Sequence, residues 1–384
     1  MTISVKQFAM LTFLIMIGQK LIILPAFLMS SSGRDGYITL LVMMLFEFLI
    51  LSLIILSIKK SDKSFFELLD KGLSKIGGRI VAVVMMLAML IKILLVISVI
   101  RLFFNSIFEQ NLRDWLSLAA VCFVMFFVAS KSLRGIGRMG GIIFPLVMFS
   151  VLALIFLSLK NFRPSLMLPF LESGTAPIFS NLWIYPLWFL DIAIMVIFIG
   201  KVKGKVLTEG GAGDKKHIMK AGLIAAGAAI VCTLFLSLIL FMNFGDLPHL
   251  LDYRTNVSGL MLFSKSSYRY GRYDIPLFCL FILSLFVVLG LYFFTLTRHV
   301  SYIIKTDKHT RIAAACSIII FALLLIFFRA EHTLFSFSVG WIRYFGHFNN
   351  LAVPILMVIL AIIISRKMSA KSHSSSISPP KLEN

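Results

Sequence analysis

Four ionisable side chains stand inside long apolar runs of this sequence: Lys20, Glu47, Lys92 and Asp191. Each costs about 2.5–3.5 kcal/mol on insertion scales at the middle of a membrane helix, so such residues pair with one another or serve a function. Two interpretations stay open. The four could form ion pairs that lock helices together, or one lysine could supply a fixed positive charge where a ligand or a coupling ion binds.

Two of the apolar runs that carry these residues are interrupted. The first, FAMLTFLIMIGQKLIILPAFLM, has Gly18, Gln19 and Lys20 at its middle and a proline further along. The sixth, PIFSNLWIYPLWFLDIAIMVIFIG, contains Asn181 and Pro186. A transmembrane helix satisfies its own backbone groups, so an interruption leaves polar groups that something else must satisfy.

Two interrupted helices five spans apart are typical of transporters built from inverted repeats, in which the unwound segments hold a small ligand near the bilayer midplane. We therefore expect the segments 17–20 and 181–186 to face each other across one pocket. A zwitterionic amino acid would suit it, with its carboxylate on free N–H groups and its ammonium on free carbonyls. The predicted substrate-binding residues are Gly18, Gln19, Lys92, Asn181 and Tyr185.

Three of these residues also have a plainer interpretation. Gly18 could be a close-packing residue between helices. Asn181 and Tyr185 could be interfacial residues at the start of the sixth span. Tyr292 and Thr295, in the eighth span, are interpreted as ordinary packing residues.

Composition places the whole chain in a membrane. Of its 384 residues, 59% are hydrophobic and only 14% are charged, with a mean hydropathy of +0.98. Apolar runs of roughly the length needed to cross a bilayer recur throughout. We place ten spans at about 8–29, 37–58, 80–104, 115–129, 140–159, 177–199, 221–242, 275–297, 312–328 and 348–365. The membrane domain covers 1–367, with halves of about 1–160 and 161–367, and the Ser/Pro-rich tail 368–384 is predicted to be disordered.

The net charge of +20 does not indicate nucleic acid, because the basic residues lie in the loops between spans. If the N-terminus is inside, the inward segments hold 24 of the 37 Lys and Arg residues and the outward segments hold 10. This asymmetry predicts that both termini are cytoplasmic. No phosphate-binding loop, metal-ligand spacing or catalytic triad is recognisable, so we expect no enzyme activity, cofactor or metal.

Several segments resemble the endospore germination permease family, the B subunits of spore germinant receptors, within the amino acid–polyamine–organocation superfamily. They are ISVKQFAMLTFLIMIG, KKSDKSFFELLDKGLSKIGGRI, GIGRMGGIIFP with Arg138 and Pro145, and FRPSLMLPFLESGTAPIFSNLWIYPLWFLD. The chain departs from the family pattern where Gln19 and Lys20 replace a small polar pair after Gly18, and where Asp191 stands in place of Glu.

The resemblance implies an all-α polytopic membrane protein with a LeuT-like five-plus-five inverted repeat and discontinuous helices one and six. It implies a multi-pass protein of the spore inner membrane that detects a small nutrient. Its expected partners are a receptor A subunit and a lipoprotein C subunit. Two alternatives remain, a proton- or cation-coupled amino acid transporter and a membrane scaffold that has lost its ligand.

Overall fold

The computed structural model describes residues 2–22, 24, 28, 31–107, 114–158, 163–168, 171–172, 174–203, 212–244, 274–327 and 338–375. These residues are largely helical. The helices are α1 (Val5–Ile22), α2 (Gly36–Lys60), α3 (Phe65–Gly72), α4 (Lys75–Ile107), α5 (Asp114–Ser130), α6 (Leu133–Ser158), α7 (Ala176–Ile184), α8 (Pro186–Phe189), α9 (Ala212–Phe244), α10 (Asp274–Ile304), α11 (His309–Phe327), α12 (Ile342–His347) and α13 (Val353–Ser375).

Short elements join them. Gly33–Asp35, Pro164–Met167 and Asp191–Phe198 are 3-10 helices, and Phe348–Ala352 is a π-helical turn between α12 and α13. Strand β1 (Ile3–Ser4) pairs in parallel with β2 (Val202–Lys203). The pairing places the amino-terminal strand and the segment that follows the sixth span on the same face of the protein.

The helices correspond to the predicted spans. Within the described part of the chain, seven helices are long and apolar enough to cross a membrane, and Val5–Gly18 and Trp115–Ser130 are shorter apolar helices. These nine match the predicted spans other than the sixth, which is the broken segment from Ala176 to Phe198. The prediction of a polytopic helical membrane protein is confirmed.

The packing brings together helices that are distant in sequence. α1 packs against α9 and α10, while α4, the third span, packs along α10, the eighth. The third and eighth spans are the pair that a five-plus-five repeat relates. Their buried faces and the 3-10 segment Asp191–Phe198 meet in one apolar core. That core encloses the four ionisable residues singled out from the sequence.

The end of the last helix corrects one predicted boundary. α13 continues to Ser375, eight residues into the segment 368–384 for which the composition predicts disorder. Lys, Met and Ala, which occur at 367–371, are good helix formers and extend the helix beyond the apolar span. The remaining residues of the tail, and most of the segment 243–274 between the predicted seventh and eighth spans, lie outside the described residues.

Candidate functional site

The sixth span is broken at two points. α7 ends at Ile184 and is followed by Tyr185, whose backbone has φ −110° and ψ 34°. The single turn α8 ends at Phe189 and is followed by Leu190, with φ −90° and ψ 41°. The chain then continues as a 3-10 helix of eight residues, Asp191–Phe198. Runs of 3-10 helix longer than three or four residues are uncommon, and within a helix they often mark a functional hinge. Pro186 explains the first break, because proline removes an N–H and disfavours helical conformation in the preceding residue.

Side chains from other helices satisfy backbone groups around the breaks. The Asn350 side-chain amide donates to the Pro186 carbonyl at 2.9 Å, and His347 Nε2 donates to the Trp183 carbonyl at 2.8 Å. The Ile192 N–H donates to Glu47 Oε1 at 3.0 Å. Irregular backbone at membrane depth is tolerated only where protein or enclosed water satisfies it. The break is therefore part of the folded structure.

At the second break lies a set of polar side chains that we call the buried ion cluster: Lys20, Glu47, Lys92, Asp191 and Tyr292. Each is at most 1% exposed. The members come from five different spans, because α1, α2, α4 and α10 each contribute one residue and the 3-10 segment contributes Asp191 at its first position. The cluster therefore ties together five spans that are distant from one another in sequence.

Asp191 is the centre of the cluster. Its Oδ1 forms an ion pair with Lys92 Nζ and accepts a hydrogen bond from the Tyr292 hydroxyl. Its Oδ2 lies 3.7 Å from Lys20 Nζ. The Lys92 ammonium also lies 3.5 Å from the Tyr292 oxygen. One carboxylate thus receives two cations and a hydroxyl.

Glu47 completes the charge balance. Its Oε2 lies 3.0 Å from Lys20 Nζ, while its Oε1 accepts the Ile192 N–H at the start of the 3-10 segment. Lys20 also donates to the Ile15 carbonyl at 3.3 Å. Two ammonium groups and two carboxylates sum to zero, which is the arrangement that a low-dielectric interior tolerates. The ion-pair interpretation of the four residues therefore describes their geometry.

The expected break in the first span is wrong for residues 17–20. α1 is continuous from Val5 to Ile22 and includes Gly18, Gln19 and Lys20. Gly18 sits against α10, where an added Cβ would lie 3.4 Å from Ser284 Oγ and 3.5 Å from Val288 Cγ2. Gln, Lys and Leu are good helix formers, and a glycine that packs against a neighbouring helix does not by itself unwind a membrane helix. The close-packing interpretation of Gly18 fits this geometry.

The other predicted site residues divide into two groups. Lys92 belongs to the buried ion cluster. Asn181 lies on α7 and donates to Ser32 Oγ at 2.7 Å, and Tyr185 forms a side-chain hydrogen bond with Ser31. These two residues therefore contact the segment just before α2. The Gln19 side chain lies outside the described residues.

Sequence reasoning missed three residues of the region. The sequence favours an ordinary packing role for Tyr292, yet its hydroxyl donates to Asp191. Asn349 and Asn350 lie on the π-helical turn, with Asn349 Nδ2 donating to Asn350 Oδ1 at 2.7 Å. The Oδ1 atom of Asn349 is buried without a hydrogen-bond partner among the described residues. Two adjacent asparagines at the start of the last apolar span are the sequence feature that could have indicated a polar contact inside the membrane domain.

The part of the chain that the structure describes contains no group of three or more His, Cys, Asp or Glu side chains that could hold a metal ion. The buried ion cluster has two carboxylates, but two lysine ammonium groups already lie against them. Chemically, the cluster can exchange ion-pair partners. An incoming carboxylate can bind the lysines, and an incoming ammonium can bind Glu47 or Asp191.

A family model described as spore germination protein matches residues 2–336, which is most of the chain. No curated protein matches the chain. Among solved structures, a substrate-bound, outward-open Na⁺-coupled sialic acid symporter is similar, with a TM-score of 0.64 at 11% identity over 95% of this chain and 90% of that one.

Two further transporters have similar structures. MHP1, a nucleobase-cation-symport-1 family transporter with bromovinylhydantoin bound, has a TM-score of 0.62 at 10% identity, covering 97% of this chain and 93% of its own. MhsT in complex with L-phenylalanine has a TM-score of 0.62 at 15% identity, covering 94% and 95%. Identities this low establish the fold alone. They confirm the predicted LeuT-like transporter architecture.

Proposed function

Because this chain belongs to the spore germination protein family, we propose that it is the permease-like subunit of a spore germinant receptor. It binds a small nutrient, an amino acid, and triggers germination together with partner subunits. The chain is an integral multi-pass membrane protein of the permease type and not an enzyme. The finer role in nutrient sensing is the proposal.

The observation that carries the proposal is the buried ion cluster at the second break of the sixth span. Asp191 stands at the first position of the 3-10 segment, and Lys20 and Lys92 both lie against it. In transporters of this architecture, broken helices near the bilayer midplane hold the ligand. The cluster supplies both signs of charge beside such a break, which supports a ligand site there.

The charge balance favours a zwitterionic ligand. The cluster contains two ammonium groups and two carboxylates, and all four are buried. An α-amino acid brings one charge of each sign, so it can exchange partners with an internal ion pair and leave the total unchanged. A ligand with net charge would leave one buried charge unmatched, which costs several kcal/mol. We infer that the ion pairs within the cluster exist when no ligand is bound, and that a bound nutrient replaces one of them.

A transporter that moves amino acids with protons or another cation is the second candidate. The similarity in fold to three transporters favours it, one of them holding L-phenylalanine. Lys20 and Lys92 could supply the fixed positive charge for which other transporters of this kind use a bound cation. The two candidates differ in whether ligand crosses the membrane, so uptake separates them.

The proposed setting is the spore inner membrane, with an A subunit and a lipoprotein C subunit as partners and both termini in the cytoplasm. The orientation rests on the 24 inward and 10 outward Lys and Arg residues. Labelling of intact cells should reach a cysteine introduced in 243–274 and not one introduced in 200–220. The opposite labelling pattern would overturn the orientation.

The function is tested with spores of a deletion strain, complemented with the wild-type chain and exposed to single amino acids one at a time. The expected result is that the deletion abolishes the response to one nutrient or a small group and that complementation restores it. Unchanged responses to every nutrient would overturn the sensor role. In parallel, vesicles containing the purified chain are tested for uptake of the active amino acid. Uptake without any germination phenotype would favour the transporter.

A further inference from the structure

A cavity of about 640 Å³ lies on the face of the protein that carries the amino-terminal strand. None of the residues that line it belongs to the buried ion cluster. Its walls come from α3, the start of α4, the segment after the sixth span, the end of α10 and the turn before α11. Phe66 and Tyr302 stack in the wall, with ring centroids 4.8 Å apart and planes inclined by 22°. One wall of the cavity is therefore formed by a stacked pair of aromatic rings.

The cavity carries an excess of positive charge. Five lysine and arginine side chains line it, against two carboxylates. The five are Lys75, Arg79, Lys201, Arg298 and Lys305. Both carboxylates already have neighbours, because Asp70 accepts a hydrogen bond from the Tyr302 hydroxyl at 2.5 Å and Asp307 lies in the field of Arg298. The cavity as it stands holds more cations than its own acids can match.

Lys201 shows this excess most directly. Its side chain is only partly exposed and makes no ion pair within the described part of the chain. Burial and the neighbouring Arg298 charge lower the pKa of Lys201 to about 8. A lysine in such a position gains from an anion that enters the cavity.

The backbone before Lys201 is held in a particular conformation. Gly200 has φ +70°, and a Cβ added there would lie 2.6 Å from the backbone carbon and oxygen of Lys63. Ile3 donates its N–H to the Lys201 carbonyl at 2.9 Å. Only glycine fits this close approach with a positive φ. The position of Lys201 at the cavity wall is therefore set by the fold.

We propose that this cavity binds a phosphate-bearing anion, either the head group of an anionic phospholipid or free phosphate. Arginine and lysine side chains that converge from several helices suit the tetrahedral oxygens of a phosphate group. Basic pockets between membrane helices on the cytoplasmic side are known lipid head-group sites in general. The positive-inside rule accounts for basic loops, but it does not require their cations to line one cavity.

The chain connects the cavity directly to the buried ion cluster. Lys201 follows the end of the 3-10 segment Asp191–Phe198, and that segment begins in the buried ion cluster. An anion held by Lys201 would restrain the far end of the broken span. The binding proposal itself does not depend on the proposed receptor function, because it concerns other residues and another ligand.

The test measures anion binding by the purified full-length chain. In one arm, inorganic phosphate is titrated in detergent at constant ionic strength, with thermal stability as the readout. In the other arm, the protein is reconstituted in phosphatidylcholine with or without cardiolipin, and retained lipid is measured by native mass spectrometry. The cavity variants are Lys201→Gln and Lys305→Gln. Lys308→Gln is the matched control, because Lys308 is exposed three residues from Lys305 and does not line the cavity.

We expect wild type and Lys308→Gln to bind in at least one arm, and the cavity variants to bind about tenfold more weakly, as loss of one charge-assisted hydrogen bond predicts. Weakening in the cardiolipin arm alone identifies a lipid head group as the source, and weakening in the phosphate arm alone identifies the free anion. Equal binding by cavity and control variants, or no binding in either arm, would overturn the proposal. If a cavity variant does not accumulate, the charge-preserving Lys201→Arg variant should retain binding.

Discussion

The buried ion cluster and the basic cavity handle charge in opposite ways. The cluster contains two lysines and two carboxylates, all at most 1% exposed, and they neutralise one another. The cavity contains five lysine and arginine side chains against two carboxylates and opens at one face of the protein. An unmatched charge is costly in a low-dielectric interior, whereas water screens it near the surface. Exact balance is therefore required only in the cluster.

The difference also separates what a ligand can do in each place. In the cluster a ligand must exchange for a partner that is already present, so a neutral zwitterion fits best. In the cavity an anion adds negative charge where the described lining residues have more cations than carboxylates. Substitutions should therefore affect folding most strongly in the cluster and ligand binding most directly in the cavity. The following changes test that comparison.

The largest effect is expected for Lys92→Met. It removes one of the two cations against Asp191, and breaking a buried pair in this way costs about 3–5 kcal/mol. Quantitative immunoblots of spore membranes should show reduced abundance. The double variant Lys92→Met with Asp191→Asn keeps Lys20 opposite Glu47 and removes both other charges, so its abundance should recover in large part. Normal abundance and normal nutrient potency of Lys92→Met would refute both roles of this residue.

The second-largest loss of stability is expected for Gly18→Trp. A Cβ at this position is already in ordinary contact with Ser284 and Val288 on α10, so an indole must displace that helix. Overpacking typically costs about 1–3 kcal/mol and occasionally more, and a whole indole should cost at least the upper value of this range. Gly18→Ala is the control and should be tolerated in both abundance and nutrient response. If Gly18→Trp accumulates normally and responds normally, the packing of α1 against α10 is looser than the structure indicates.

A smaller effect is expected for Tyr292→Phe, which removes the hydroxyl that donates to Asp191. A buried hydrogen bond to a charged group contributes about 1.5–3 kcal/mol, and Lys20 and Lys92 remain to hold the carboxylate. Tyr302→Phe removes the equivalent donor to Asp70 at the basic cavity, where water can replace it. Thermal unfolding should show a clear loss for Tyr292→Phe and little change for Tyr302→Phe. Equal losses would mean that the two regions do not differ in solvation.

The smallest effect concerns pH at the cavity. The pKa of Lys201 falls from the ordinary 10.5 to about 8, so the unfolded chain binds its proton more tightly than the folded protein does between these values. Stability without a bound anion should therefore rise as pH increases from about 8 to 10.5. Affinity for an anion should fall as pH rises through about 8, because Lys201 of the folded protein loses its charge there.

Sulfate is the probe for that measurement, since its charge does not change in this range. The groups around Lys201 are Arg298 and His299 on α10 and the remaining charged side chains of the cavity, Asp70, Lys75, Arg79, Lys305, Asp307 and His309. Lys201→Gln should remove most of the pH dependence, and Lys308→Gln should keep it. A pH dependence unchanged in Lys201→Gln would assign it to one of the neighbouring groups.

The amino-acid sequence by itself determined the membrane architecture and the four buried charges. Apolar runs of spanning length and the distribution of basic loops depend on local composition, so the ten spans could be placed without knowing how they pack. The break at Pro186 was equally visible, because the constraints of proline are local. The segment 17–20 was predicted wrongly for the same reason: a glycine beside polar residues does not reveal whether a neighbouring helix packs against it.

Only the tertiary structure decided which charges pair. Asp191 is 99 residues from Lys92 and 101 from Tyr292 along the chain, and nothing local joins them. They meet because α4 packs along α10 and the broken sixth span passes between other helices of the core. The Asn350 contact with Pro186 and the convergence of five cations on one cavity arise in the same way. Burial makes each partner necessary, and only the packing of distant helices supplies it.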